Sequence, residues 1–492
     1  MKGKAHDSSI QGFAKQYPGC TLYTRKKSGG SAIAGGSRSA RGILRTLVFI
    51  VLATFLWLQL HVVSLTGRDD SGQSSNETLF SLVPQELHRF LKEGRNSSTN
   101  LVNSSSGALT ELEIAEIRHK IERANAEQRV YNEEAFGPLA SDAPIIVIQV
   151  HTRLTYLRHL IVSLAQAKDI EQALLVFSHD VWHPDINYLV QSVDFCRVMQ
   201  IFYPHSIQTH PHTFPGEGPN DCPRNIRKEQ ALNLKCTNAK HPDLYGHYRE
   251  AKFTQTKHHW WWKANRVFDQ LSVTRNHTGM VLFLEEDHYV AEDFLHVLRL
   301  MERTCKLSCE RCNVLSLGTY LKTYNYFTDF SRKAEVTPWI SSKHNMGMAF
   351  NRVTWNKLRK CAAQFCSYDD YNWDWSLQYI AQTCVPSSRG AGIAPRAESG
   401  LITMTMRAPR VFHIGECGVH HKKNNCESTA VIAKVQNVLN AARNHLFPSQ
   451  LTLTIAGTAK KTKLRKGNGG WGDVRDHQLC WNMTISPDLD LP

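Results

Sequence analysis

The chain has 492 residues, 42% of them hydrophobic and 21% charged, with a formal net charge of +14. That length is enough for a large core and two or three domains. The positive charge could suit nucleic acid, but it is unevenly placed: nine Lys/Arg against one acid, Asp7, precede residue 46.

Residues 46–66 form a largely apolar run of about 20 residues, the length that spans a bilayer. Arg38, Arg41 and Arg45 on its N-terminal side orient that side to the cytosol. The run is too long, and starts too late, for a cleaved signal peptide, and no small-residue cleavage site follows it. It reads as a single-pass type II signal anchor. Five Asn-x-Ser/Thr sequons follow it, at Asn76, Asn96, Asn103, Asn276 and Asn482, as do twelve of the 13 cysteines. Both features fit an oxidising, glycosylating lumen and exclude nucleic acid as a partner. The predicted organisation is a cytosolic tail (1–45), the anchor (46–66), a lumenal stem rich in Ser, Asn and Gly that ends in a helix (67–142), and a globular domain (143–492). Thr110 is the capping-box candidate for the stem's helix, which is expected to run to Arg129.

Short apolar segments at 144–151, 173–180, 198–203, 280–284 and 313–317 read as buried strands. Helical stretches, such as Leu157 to Lys168, lie between them. This alternation predicts an α/β fold with a mostly parallel sheet.

The strand at 280–284 runs straight into Glu285-Glu286-Asp287-His288. Unpaired buried charge is costly, so such a cluster expects a cation, and oxygen ligands suit hard ions such as Mn²⁺ or Mg²⁺. A solvated acidic turn is the bland alternative. Gln149-Val150-His151-Thr152-Arg153 and Asp180 sit where the first two strands end, where nucleotides bind in such sheets; each could equally be a local cap or turn. Gln255-Thr256-Lys257-His258-His259 places cationic and donor groups before Trp260-Trp261-Trp262, a pattern that suits a pyrophosphate. The tryptophans themselves are expected in the core. In Tyr368 to Trp375, Asp374 lies between Trp373 and Trp375; partial desolvation there would raise its pKa and make it a better base. His413 is a candidate extra metal ligand. Cys305-x3-Cys309-x2-Cys312 has iron–sulfur-like spacing, but a lumenal setting favours disulfides.

These blocks, with His344-Asn345-Met346-Gly347, His413 to Lys422 and Gly469-Gly470-Trp471-Gly472-Asp473, resemble the Golgi N-acetylglucosaminyltransferase II family from about Pro144 to Cys480. The resemblance implies a GT-A type glycosyltransferase domain built on a nucleotide-binding sheet, in the Golgi membrane with its catalytic domain lumenal. It implies donor contacts to UDP-GlcNAc from Gln149, Val150, His151, Thr152, Arg153, Asp180, Gln255, Thr256, Lys257, His258 and His259. Asp287 and His413 would coordinate Mn²⁺, and Asp374 would be the general base. Arg224, Asn345 and Trp373 would lie near an N-glycan acceptor. It further implies the disulfides Cys222–Cys236, Cys309–Cys312, Cys361–Cys384, Cys366–Cys480 and Cys417–Cys426. Cys196 and Cys305 fall outside the family's pairs, and the stretch 386–407 looks longer than the family's.

The implied reaction moves GlcNAc, with inversion, in β-1,2 linkage to the α-1,6-arm mannose of a hybrid N-glycan. Rival readings are a β-1,2-N-acetylglucosaminyltransferase with another mannose acceptor, a lumenal lectin without turnover, and a metal-dependent hydrolase. A homo-oligomer is left open.

Overall fold

The computed structural model describes residues 83–92, 109–320, 323–385, 399–416, 429–455 and 466–484. The anchor, the tail with Cys20, most of the stem, the sequons at Asn76, Asn96 and Asn103, the segment 386–398 and the pair Cys417–Cys426 lie outside them. Among the described residues no helix is long and apolar enough to cross a membrane.

The strands are β1 (Val130–Tyr131), β2 (Ile145–Val150), β3 (Leu174–His179), β4 (Arg197–Phe202), β5 (Val281–Glu285), β6 (His288–Val290), β7 (Val314–Ser316), β8 (Lys333–Pro338), β9 (Met348–Phe350), β10 (Ile402–Met406), β11 (Val411–His413) and β12 (Thr452–Ile455). The helices used below are α1 (Glu111–Glu127), α2 (Leu154–Ala165), α3 (Ala251–Asn265), α4 (Phe294–Ser308), α5 (Trp373–Thr383), α6 (Thr429–Ala442) and α7 (Val474–Thr484). Thr110 caps α1 through the expected capping box with Glu113; the helix stops at Glu127, just short of the Arg129 expected.

The main sheet has ten strands in the order β1-β4-β3-β2-β5-β9-β7-β10-β8-β12. β4, β3, β2 and β5 are all parallel, as the alternating pattern predicts. Beyond β5 the sheet is mixed: β9 runs antiparallel to both β5 and β7, and β8 antiparallel to β10. Along β2 the side chains alternate between two cores, Ile146, Ile148 and Val150 on one face and Ile145 and Val147 on the other. That period of two is what a sheet covered on both sides requires. The first face packs on α2 and α4. The second packs on α3 and α5, where Trp260 stacks on Trp373 with ring centroids 4.4 Å apart and planes 1° from parallel. The expectation of a tryptophan core holds, since Trp260, Trp261 and Trp262 are all buried.

Four of the five implied disulfides are present: Cys222–Cys236, Cys309–Cys312, Cys361–Cys384 and Cys366–Cys480. Cys196 and Cys305 are buried thiols. The Cys309–Cys312 bridge displaces the cluster reading of that motif. Cys366–Cys480 spans 114 residues and ties α7 to the core. Closing a loop that long constrains the unfolded chain by about 4–5 kcal/mol at most in the chain-entropy model. A Cys366→Ala/Cys480→Ala variant is therefore expected to unfold at markedly lower urea concentration; an unchanged midpoint would show that the bridge adds nothing.

Candidate active site

β5 ends at Glu285, and Glu286 and Asp287 form a tight turn into β6. β6 pairs antiparallel with β11 in a register that sets His413 opposite His288. His413 Nε2 thereby comes 3.2 Å from Asp287 Oδ2. The same oxygen accepts from Arg153 Nη1 at 2.6 Å, while Asp287 Oδ1 is buried with no hydrogen-bond partner. A side chain at Gly415 would collide with Oδ2, so only glycine fits there. Burial alone would raise the Asp287 carboxyl. The hydrogen bond from His413 and the charge of Arg153 outweigh it and hold the group well below the usual carboxylate range. Burial, and then the Asp287 charge, push Glu285 up.

The neighbouring Glu286 is 1% exposed and serves the loop instead. It accepts the His151 backbone N–H at 2.7 Å and Arg153 Nε at 2.7 Å. Ligand atoms of Glu285, Asp287 and His288 all lie within 4.8 Å of one another. With the orphaned Asp287 oxygen, this oxygen-and-imidazole set fits a hard divalent cation. Glu285 and His288 were not singled out as ligands in the sequence. The β6–β11 pairing that turns this segment back on itself is three residues long and joins segments over 120 positions apart.

The strand-end loops meet beside this turn. Asp180 Oδ1 is 2.7 Å from His151 Nδ1, and its Oδ2 accepts from Gln255 Nε2 at 3.0 Å. Burial opposes ionisation of Asp180, but the His151 partner wins and keeps the group below its ordinary value. His151 and Thr152 are exposed, Arg153, Gln255 and Thr256 half-buried, and Gln149 accepts from Lys263 Nζ. These residues converge at the ends of β2 and β3. The rest of the expected donor set does not face the cleft. Val150 lies wholly in the core. Lys257, His258 and His259 are fully buried. Lys257 Nζ donates to the carbonyls of Tyr368 and Asp370, each at 3.0 Å, and lies 4.1 Å above the Trp471 ring. His258 pairs with Asp476 at 2.9 Å, and His259 with Ser178 at 2.8 Å. In this structure the side chains of these four residues brace the site from within the core. Successive helical residues turn by about 100°, so one run of polar residues on α3 cannot all face the same cleft.

Asp374 occupies the first turn of α5. Its Oδ2 accepts from Ser341 Oγ at 2.9 Å and Asn345 Nδ2 at 3.1 Å. Burial pushes this carboxyl up; the Ser341 hydrogen bond pulls it down and the Asp370 charge pushes it up again, leaving it above the ordinary range. A cleft of ≈ 460 Å³ opens here, lined among others by Tyr320, Asn345, Tyr371, Asp374, Trp375 and Asn468. Trp373 does not line it. That residue is 7% exposed with its ring stacked on Trp260, and the tryptophan that lines the cleft is Trp375. Arg224 is exposed and paired with Glu250 at 2.7 Å, and its charge is felt by Tyr371 at the cleft wall. Tyr320 was missed in the sequence. It lines the cleft with Asp374, and its phenol is raised by partial burial and by the charges of Glu285, Asp374 and Asp287.

The family model for N-acetylglucosaminyltransferase II (MGAT2) matches residues 118–480. The chain belongs to the N-acetylglucosaminyltransferase II family. It is 45% identical over 363 residues to the alpha-1,6-mannosyl-glycoprotein 2-beta-N-acetylglucosaminyltransferase of Sus scrofa, covering 74% of this chain and 78% of the relative. The protein of the same name from Homo sapiens is 44% identical over the same shares. That from Arabidopsis thaliana is 30% identical over 445 residues, covering 88% of this chain and 92% of the relative. Among solved structures, that of S. aureus TarS 1-349 aligns with a TM-score of 0.27 at 9% identity, over 55% of this chain and 60% of that one, and nothing below rests on it.

Asp287→Ala is expected to abolish binding of a divalent cation, with Mn²⁺ as the probe, without unfolding the domain, because among the described residues it removes the one carboxylate with a buried, unpartnered oxygen. Titration followed by the EPR signal of free Mn²⁺ checks this. A folded variant that binds Mn²⁺ as tightly as the parent would contradict the assignment.

Proposed function

We propose that this chain transfers GlcNAc from UDP-GlcNAc to the α-1,6-arm mannose of a hybrid N-glycan. The new bond is a β-1,2 linkage, so the product is a complex-type N-glycan precursor. The reading rests on family membership together with one structural observation. Two carboxyl groups are set up for different tasks: Asp287 keeps a buried Oδ1 without a partner in the acidic turn, and Asp374, held by Ser341 and Asn345 at the cleft, is shifted up by burial. A lectin needs no such pair.

The donor is α-linked and the product β-linked, so a single in-line displacement accounts for both. The 2-hydroxyl oxygen of mannose attacks C1 of GlcNAc, the bond from C1 to the diphosphate oxygen breaks, and Asp374 takes the hydroxyl proton. Ser341 and Asn345 fix the carboxylate oxygen that does so. His151, Arg153, Asp180 and Gln255 face the nucleotide and diphosphate, and Tyr371, Trp375 and Asn345 face the acceptor, with Arg224 at its edge. A divalent cation on Asp287, assisted by Glu285, His288 and His413, would neutralise charge on the departing UDP; Mn²⁺ is the proposed ion. GT-A type architecture, the type II anchor over 46–66, the stem and domain boundaries read from the sequence, and residence in the Golgi membrane complete the proposal.

The test is to incubate the soluble domain with UDP-GlcNAc, Mn²⁺ and a hybrid N-glycan bearing GlcNAc on its α-1,3 arm. UDP release that requires the glycan, with a new β-1,2 bond on the α-1,6 arm by NMR, is the expected result. Release without acceptor would favour a hydrolase, and no release a lectin. Asp374→Asn keeps the side chain's size but cannot accept the proton; it is expected to lower the rate by about 10²–10⁴-fold with UDP affinity little changed. Only the ionised carboxyl can act as base, so the parent's rate should fall as pH drops through the pKa of Asp374, which burial raises above its ordinary value. That acid limb should vanish from the residual rate of the Asn variant. An equal fall in UDP affinity would move Asp374 to the donor site.

A further inference from the structure

Arg153 spans two buried carboxylates with one guanidinium. Its Nε is 2.7 Å from Glu286 Oε1, and its Nη1 is 2.6 Å from Asp287 Oδ2. The two acids are almost fully buried, whereas the arginine side chain is 30% exposed and sits in the loop that follows β2. The guanidinium is therefore the partner that can move. It occupies an oxygen of the very residue that the proposed cation would need. Asp287 Oδ1 meanwhile stays buried and unpartnered, so the pairing is incomplete as a structural salt bridge. Buried charge without a full set of partners is unfavourable, which leaves this pocket poised to exchange one cation for another.

We propose that Arg153 is a place-holding cation: it neutralises Asp287 while the cleft is empty, and leaves it for the diphosphate of the donor when a divalent cation takes over the carboxylate. A guanidinium bonds phosphate oxygens as well as it bonds carboxylates, through paired N–H donors. The Nε bond to Glu286 can act as the pivot, because Glu286 also holds the His151 and Arg153 backbone N–H groups. The consequence is thermodynamic coupling. Metal alone must displace Arg153 Nη1 from Asp287 with nothing to replace that contact, whereas metal and nucleotide diphosphate together supply a new partner for that end of the guanidinium. Each should tighten the other by the same factor. This makes Arg153 a positioning residue for an ordered, mutually dependent loading of the site. It rests on the cation site proposed above.

The experiment measures Mn²⁺ affinity by EPR titration, with and without saturating UDP, in the soluble domain and in Arg153→Gln. In the parent, UDP is expected to tighten Mn²⁺ by about fivefold or more, a usual coupling size. In the variant, Mn²⁺ alone should bind more tightly than in the parent, and the UDP effect should shrink towards none. A lesion that merely loosens the loop would weaken Mn²⁺ binding, so the gain of affinity separates the two. Arg153→Gln/Glu286→Gln, which keeps the charge balance around Glu286, guards against misfolding of the single variant and should behave the same way. Unchanged or weaker Mn²⁺ binding in both variants, beside normal binding in the parent, overturns the place-holder role and leaves the cation site standing. Absence of Mn²⁺ binding in every protein, with or without UDP, overturns both.

Discussion

Three consecutive carboxylates end a strand that is otherwise buried, and the rest of the site is organised by the need to neutralise them. Each is handled differently. Glu286 is spent on backbone N–H groups and Arg153 Nε, which pins the loop after β2. Asp287 draws in Arg153 Nη1 from one side and His413 from the other, which fixes the β6–β11 ribbon against the sheet. Glu285 lies near the buried Lys263, whose pKa falls to about 7 because burial outweighs the opposing charges of Glu285 and Asp180. Lys263 in turn bonds Gln149 at the end of β2. Removing the acids would free all three elements at once.

Helix α3 links the loops beside the acidic turn to the segment that carries Asp374. Gln255 reaches forward to Asp180. Two residues later Lys257 points the opposite way and holds the carbonyls of Tyr368 and Asp370. Trp260 stacks on Trp373, the first residue of α5, so the next residue, Asp374, is delivered to the cleft from a rigid base. Asp369 and Asp370 brace the same approach by accepting backbone N–H groups of Leu244, Trp471, Asn372 and Asn468. One helix thus couples the proposed donor loop to the proposed base through buried hydrogen bonds and a ring stack.

Features that depend on local pattern were readable from the sequence. The four parallel strands are near-continuous apolar runs, the cap of α1 is a short-range motif, and the acidic turn stands out because charge follows a buried strand. What could not be read depended on contacts between distant segments. Which tryptophan beside Asp374 faces the cleft is decided by the stack of Trp373 on Trp260, over a hundred residues away. The polar run Lys257 to His259 looked like ligand-binding chemistry because it sets cationic and donor groups beside aromatic rings. Their partners, the Tyr368 and Asp370 carbonyls, Asp476 and Ser178, are supplied by remote segments. The roles of Asn345 and Arg224 rested on family resemblance alone. Tyr320 carried no signal in its own neighbourhood; it matters because it lines the cleft beside Asp374.

The claim on which the account turns is that the acidic turn after β5 is a cation site as well as a structural brace. Anomalous diffraction at the manganese absorption edge, from crystals of the globular domain grown with Mn²⁺ and UDP, tests it directly. The account predicts a single strong peak against Asp287 Oδ1, with Glu286 still bound to the His151–Arg153 loop. A peak elsewhere, or none at Asp287 while UDP is bound, would contradict it.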